Sequence, residues 1–160
     1  MLEQFSATVE KLYSAAAGHC RWEDALVAVE DLTASAGAVI DLIPKAPGSA
    51  GKTLAGSFTA ENCAEYARDY QPICPRIRHA VEHGGGKTHF DYLFMTEAAM
   101  DRDPVYEWFG KHGLRYYLGG SVADTPSFLA FASLQRTRRQ GHAGASDVRL
   151  FELLKAHLAP

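Results

Sequence analysis

Asp103–Gly120, DPVYEWFGKHGLRYYLGG, is the stretch whose reading decides the fold. Asp103 can cap a helix N-terminus, and Pro104 then occupies the first helical position, where its missing N–H costs nothing. Gly113 stops that helix as a left-handed C′ residue. Arg115–Leu118 has the aromatic content of a strand, and Gly119–Gly120 lets another element approach closely. An aromatic helix carrying Tyr106, Trp108 and Phe109 is therefore tied by one tight corner to an aromatic strand carrying Tyr116 and Tyr117.

Downstream of this corner, Asp124–Pro126 reads as a turn and Ser127–Arg136 as the longest strand. Leu129, Phe131 and Ser133 fall on one of its faces, and Phe128, Ala130 and Leu134 on the other. Both faces are largely apolar, which implies that both are covered. Arg136, Arg138 and Arg139 form a small basic loop, a solvated strand end by default, since nothing nearby reinforces it into a nucleic-acid patch. Ser146 or Asp147 caps a last helix with Val148, Leu150, Phe151, Leu154 and Leu158 on its apolar face. That face is wide for one sheet contact, and its surplus suits a dimer interface.

Upstream, Met95–Met100 is a connecting turn or short helix, and His89–Phe94 (HFDYLF) alternates as a strand. A short helix, Arg76–His83, precedes it, separated by Pro72 and Pro75 from a helix that Thr59 can cap. Cys63, Tyr66, Ala67 and Tyr70 share one face of that helix. A Tyr66/Tyr70 face suits a polar-tipped pocket wall, and equally an ordinary core or rim. Ala38–Ile43 reads as a buried strand, with Thr53–Phe58 as its antiparallel partner across the loop Pro44–Lys52. Asp41 interrupts the first of these strands. It is either a solvated pleat position or a polar group aimed into a cavity, where it would need a partner or a ligand. At the N-terminus, Leu2, Phe5, Val9, Leu12 and Ala16 recur at helical spacing up to Gly18. A second helix follows, with Trp22 as a packing anchor and Gly37 as its stop.

The totals are those of one ordinary domain. The 160 residues are 47% apolar with a net charge of −3, so nothing global attracts the chain to nucleic acid or an anionic membrane. No run of about eighteen apolar residues exists to span a bilayer, and the N-terminus lacks the basic segment of a secretory signal. Cys20, Cys63 and Cys74 are odd in number and irregularly spaced, which suggests reduced thiols in a cytoplasmic protein.

Two motif-like runs carry little weight. HAVEH (His79–His83) matches a zinc-peptidase pattern, but its helix is short and ends at once in Gly84–Gly85–Gly86, and Glu152 is the only attractive third ligand. GGGKT (Gly84–Thr88) resembles a phosphate loop, but Val81 stands where the first glycine belongs, and the run follows a helix and opens a strand.

The element order α-α-β-β-α-α-β-α-β-β-α implies an α+β fold: a GAF/PAS-like antiparallel sheet of about five strands. The terminal helices lie on one face and the middle helices arch over the other. The natural cavity lies between arch and sheet. Within this order, the segment Tyr106, Trp108, Gly113, Leu114 resembles the "…fYrewlrplGlrd…" run in the N-terminal sensory domains of LuxR-type helix-turn-helix transcriptional regulators. The pattern Leu12–Val29, the Tyr66–Tyr70 helix and the ending FELLKAHLAP (Phe151–Pro160) also match in order, so the resemblance covers most of the chain. It departs at Cys74-Pro75-Arg76, where the family often has Asp-Pro-Arg. If that aspartate caps the helix, Cys74 is a weaker cap; if it binds ligand, the ligand of this protein differs. The Trp/Tyr/Asp pocket pattern of the acyl-homoserine-lactone branch does not align here, so that ligand is not carried over.

The resemblance implies a ligand-sensing, homodimerising domain, with DNA binding by a helix-turn-helix domain beyond residue 160; the chain is then part of a longer regulator or a stand-alone sensor. The expected pocket wall is Tyr66, Tyr70, Phe94, Trp108, Phe109 and Tyr116, with Asp41 as polar anchor for a small organic ligand. No nucleophile–base–orienter set is present, which fits a binder better than an enzyme. No catalytic residue, metal or cofactor is expected. The alternative is a dimerisation or interaction module with a filled core and no ligand.

Overall fold

A computed structural model describes residues 1–84 and 86–158. Gly85 of the glycine run and the last two residues of the FELLKAHLAP ending lie outside the described residues. Two helices open the chain, α1 (Leu2–Ala16) and α2 (Trp22–Thr33), followed by β1 (Gly37–Pro44) and β2 (Lys52–Ala55). Then α3 (Ala60–Glu65) runs directly into a π-helical turn at Tyr66–Tyr70 and a 3-10 turn at Gln71–Ile73. After α4 (Pro75–His83) come β3 (Thr88–Phe90), a 3-10 turn at Asp91–Leu93, α5 (Glu97–Met100) and α6 (Pro104–Lys111). The long hairpin β4 (Tyr116–Asp124) and β5 (Phe128–Arg136) and the helix α7 (Ala145–Leu158) complete the fold.

The five strands form one antiparallel sheet in the order β2-β1-β5-β4-β3. Against one face, α1, α2 and α7 bury Leu12, Leu26, Val29, Phe151 and Leu154 on Ile40, Leu118 and Leu134. Trp22, half-buried, packs at the margin of this layer. Against the other face, the middle helices bury Tyr66, Ile77, Val105, Trp108 and Phe109 on Tyr117 and Phe131. The α+β layering expected from the element order is therefore what the chain adopts. Both faces of β5 are covered, and Leu129 through Gln135 are all buried.

The deciding corner forms as its residues dictate. The Asp103 carboxylate accepts from the N–H groups of Val105 (2.8 Å) and Tyr106 (3.2 Å), Pro104 opens α6, and Gly113 takes φ +76°. The aromatic strand is longer than Arg115–Leu118: it carries the glycine pair within it and runs on to Asp124. Gly119 allows this, because a Cβ there would sit 2.8 Å from the Phe131 ring and 3.0 Å from the Ala132 carbonyl.

Other expected boundaries move, each for a tertiary reason. Helix α2 stops before Gly37, at Ala34 in the left-handed region (φ 51°), and Gly37 opens β1. The Thr53–Phe58 strand ends at Ala55, because the buried Glu30 carboxylate takes the Ser57 N–H (2.9 Å) together with that of Ala38 (2.9 Å). The His89–Phe94 strand ends at Phe90, where Asp91 turns inward to buried partners. Helix α7 starts at Ala145, so Asp147 caps from inside the first turn by accepting from the Gly144 N–H (2.7 Å), a bond that Ser146 does not make.

Gly119→Ala is expected to lower stability by about 1–3 kcal/mol through overpacking against Phe131. Gly110→Ala, in α6 with nothing within 4 Å, is expected to raise it by about 0.5–1 kcal/mol. Urea unfolding of the two variants measures both signs.

Candidate functional site

Strand alternation places one set of side chains beneath the middle helices. Val39 pairs with Ser133, Asp41 with Phe131, and Tyr117 with Gln135, so all six share the arch-facing side of the sheet. They floor a cavity that α6 roofs with Trp108 and Phe109, and the α3 region with Cys63 and Tyr66. The π-helical turn matters here. It adds a residue to the turn at Tyr66–Tyr70 and brings both tyrosines onto Trp108, with ring centroids at 5.5 and 5.2 Å.

Four of the residues expected at the pocket line this cavity: Asp41, Tyr66, Trp108 and Phe109. Tyr70, Phe94 and Tyr116 do not. Tyr70 backs Trp108 from outside. Phe94 stacks on His79 (4.6 Å) and meets Tyr117 edge-on (6.2 Å). Tyr116 donates its hydroxyl to Glu97 and packs near Tyr92 and His142. Tyr117, Thr53, Gln135 and Arg76 are cavity residues that sequence reasoning missed. For Tyr117 a signal existed: it stands two residues before Gly119 on one strand face, and the open Gly119 position accommodates the Phe131 ring.

Two buried carboxylates flank the site with opposite fates. Asp91, fully buried, accepts from the Tyr106 hydroxyl and from the Tyr117 N–H (2.8 Å), and lies 3.4 Å from the Arg76 guanidinium. Arg76 is itself 3% exposed. It donates to Gln135 Oε1 (2.8 Å) and the Arg115 carbonyl (3.0 Å), and sits 4.1 Å from the Phe109 ring centroid and 4.4 Å from that of Tyr117. Burial works against its charge; Tyr106 and Asp91, foremost among its neighbours, more than offset this and raise its pKa.

Asp41 has no such partner. It is 3% exposed, and both of its hydrogen bonds fall on Oδ1, from the Thr53 hydroxyl (2.7 Å) and Gln71 Nε2 (3.0 Å). Gln71 reaches it across Gly51, where a Cβ would lie 1.8 Å from Gln71 Oε1. Burial pushes the carboxyl up to about 6, against the opposing effect of the Thr53 and Gln71 bonds and the Arg76 charge. The Tyr117 hydroxyl is likewise buried and makes no hydrogen bond among the described residues. The cavity thus holds an ionisable group and a hydroxyl that the protein leaves under-bonded.

The cavity volume is about 30 Å³, room for about two waters. It shares Thr53, Phe58 and Cys63 with an open groove of about 1010 Å³ between β2 and α3, floored largely by small apolar residues such as Ala55, Ala60, Ala64 and Ala67. Helix α3, beside both, buries none of its own residues fully; Asn62, Cys63 and Glu65 are half-buried.

The other sequence features lie elsewhere. His79 and His83 stack on each other (4.3 Å), and His79 meets the buried His89 edge-on (4.8 Å). Desolvation, then the neighbouring charges, lower His89 to about 4. Glu152, the only candidate third ligand for the discounted HAVEH site, accepts from Thr88 (3.0 Å). Among the described residues no group of three or more His, Cys, Asp or Glu is placed to hold a metal ion. Cys74 is buried before α4 and makes no side-chain capping bond.

No protein-family model matches the chain, and no curated protein matches it in sequence. Solved structures do. The N-acylhomoserine-lactone-dependent LuxR-family transcription factor CepR2 from Burkholderia cenocepacia superposes with a TM-score of 0.68 at 15% identity, covering 97% of this chain and 91% of that one. The VqsR LBD domain from Pseudomonas aeruginosa gives 0.67 at 14% identity, covering 96% and 93%. SdiA from Escherichia coli gives 0.61 at 15% identity, covering 97% of this chain and 64% of that one. The chain has the fold of these proteins.

Arg76→Ala is expected to cost about 3–5 kcal/mol by leaving Asp91 buried and unpaired, read by chemical unfolding. Asp41 gives a pH test. Its folded pKa lies above the ordinary 3.8, so stability falls as pH rises from about 4 to about 6, by about 3 kcal/mol in all. His89, depressed when folded, contributes the opposite slope between about 4 and 6.5. The difference between wild type and Asp41→Asn isolates the first effect: the variant is expected to melt higher at pH 7.5, with its advantage vanishing below pH 4.

Proposed function

We propose that this chain is the small-molecule-sensing domain of a LuxR-type transcriptional regulator, a cytoplasmic homodimer whose ligand acts through a DNA-binding domain on its C-terminal side. The fold it shares with CepR2 and the VqsR domain supports this reading, as does the ordered run of family-like segments in its sequence. The observation that carries it is the cavity: four aromatic walls, Tyr66, Trp108, Phe109 and Tyr117, around a carboxylate and a hydroxyl without full partners. Ligand pockets combine mostly apolar walls with a few placed polar groups in this way. Buried polar groups left under-bonded in a filled core are destabilising and are otherwise rare.

An organic ligand does not fit within 30 Å³ unless the site opens. Helix α3 and the π-helical turn are the movable wall: α3 is unburied, and its Cys63 faces both cavity and groove. Binding there is tighter to the opened arrangement than to the closed one, and that difference sets how far the equilibrium shifts. Tyr66 and Tyr70 carry the displacement to Trp108 and α6 through their ring contacts, tilted by 32° in each pair. In a dimer such a shift re-aims the two DNA-binding domains, and the coupling is reciprocal: DNA binding would alter ligand affinity by the same factor.

Native electrospray of protein produced in its own host, compared with denaturing spray, is expected to show a dimer carrying an organic mass that is lost on denaturation. Trp108→Ala is expected to lose that mass while retaining native circular dichroism. A dimer of bare mass that remains bare after incubation with host extract favours the interaction-module alternative.

A further inference from the structure

A sensing role leaves the chemistry of the ligand open, and the charges of the cavity narrow it. Among the described residues that line the cavity, Arg76 is the only Lys or Arg, and its guanidinium is fully engaged. Asp91, the Arg115 carbonyl, Gln135 and Tyr106 take its N–H groups, and aromatic rings cover its faces. Asp41 therefore has no counter-charge of its own. Its Oδ1 takes two neutral donors and its Oδ2 takes none among the described residues. Gln135 Nε2, on the floor of the cavity, donates to Ser133 Oγ (2.8 Å) and not to the carboxylate.

Resting on the sensing role, we infer that the site takes a molecule with a compact cationic head, an ammonium group. The head enters the cavity to pair with Asp41 while the apolar body lies in the groove between β2 and α3. The sizes agree. A cavity with room for about two waters accepts an ammonium head but not a ring. The adjoining groove shares Thr53, Phe58 and Cys63 with it and has the volume for the remainder of the molecule, against Ala55, Ala60, Ala64 and Ala67, with Arg21, Glu23, Lys52 and Arg68 also among its lining residues. An ammonium supplies donors to Oδ2 and to the Tyr117 hydroxyl oxygen, neither of which has a hydrogen-bond partner among the described residues. A carboxylate head would meet Asp41 with like charge, and an alcohol would leave it buried without a counter-ion.

Three probes of one shape separate these heads: 2-phenylethylamine, 2-phenylethanol and phenylacetate. Trp108 fluorescence in a Trp22→Phe background reports occupancy of the cavity at pH 7.5, where the amine is protonated. The amine is expected to bind about tenfold or more tightly than the alcohol, with phenylacetate weakest, and Asp41→Asn is expected to bring amine and alcohol to near equality. Circular dichroism checks that each variant is folded. Alcohol or phenylacetate binding as tightly as the amine overturns the cationic head and leaves the sensor reading standing. A preference for the amine that survives in Asp41→Asn overturns Asp41 as its partner. Silence of Trp108 towards all three overturns the cationic head, while an organic mass in native spray would still uphold the sensor.

Discussion

A guanidinium buried to 3% exposure holds the arch to the sheet. Arg76 stands at the start of α4, and each of its partners comes from a different element. Asp91 belongs to the turn after β3, Tyr106 to α6, the Arg115 carbonyl to the entry of β4, and Gln135 to β5. Taking two charges out of water is expensive, and their attraction repays it only when the remaining donors and acceptors are also satisfied. Here they are, apart from the Tyr117 hydroxyl beside them. The gain is therefore less one of net stability than of geometry: one arrangement of five segments satisfies this cation, and any other strands it.

That constraint makes the site legible by contrast. The same layer contains two buried carboxylates, and only Asp91 is closed by a cation. Asp41 is held by a threonine and a glutamine on a single oxygen. Burying such a group works against stability, which fits the proposed role of Asp41 as a ligand's partner. The division continues in the helices. The side of the arch anchored by Arg76 packs Val105, Tyr106 and Phe109 almost completely, while α3 buries nothing. Densely and sparsely buried elements thus lie on opposite sides of one cavity.

Much of this architecture was legible in the residues. Helix caps at Asp103 and Thr59, the stop at Gly113, the apolar periodicities and the glycine pair in the aromatic strand are local signals, because each depends on backbone geometry within a few residues. Four of the residues that line the cavity, Asp41, Tyr66, Trp108 and Phe109, came from the same reasoning, since all four lie on the faces that the layering turns inward. The misassigned positions share a cause. Tyr116 and Tyr117 are equally aromatic neighbours, and only the pairing of Tyr117 with Gln135 decides which one faces the arch. The strands ending at Ala55 and Phe90 stop where Glu30 and Asp91 intervene, one taking backbone groups from another element and the other turning in to buried partners.

By itself, then, the sequence determined the elements, their order, the two-layered cover of the sheet and the aromatic character of the enclosed space, all of which arise from periodicity and capping within short windows. Tertiary structure alone decided that Arg76 is a core residue, that Asp41 has no ion-pair partner among the described residues, and that the cavity and the groove beside α3 share Thr53, Phe58 and Cys63. Each of these depends on which groups meet across many intervening residues. A charged side chain reads as solvated until the fold brings its partners to it or withholds them.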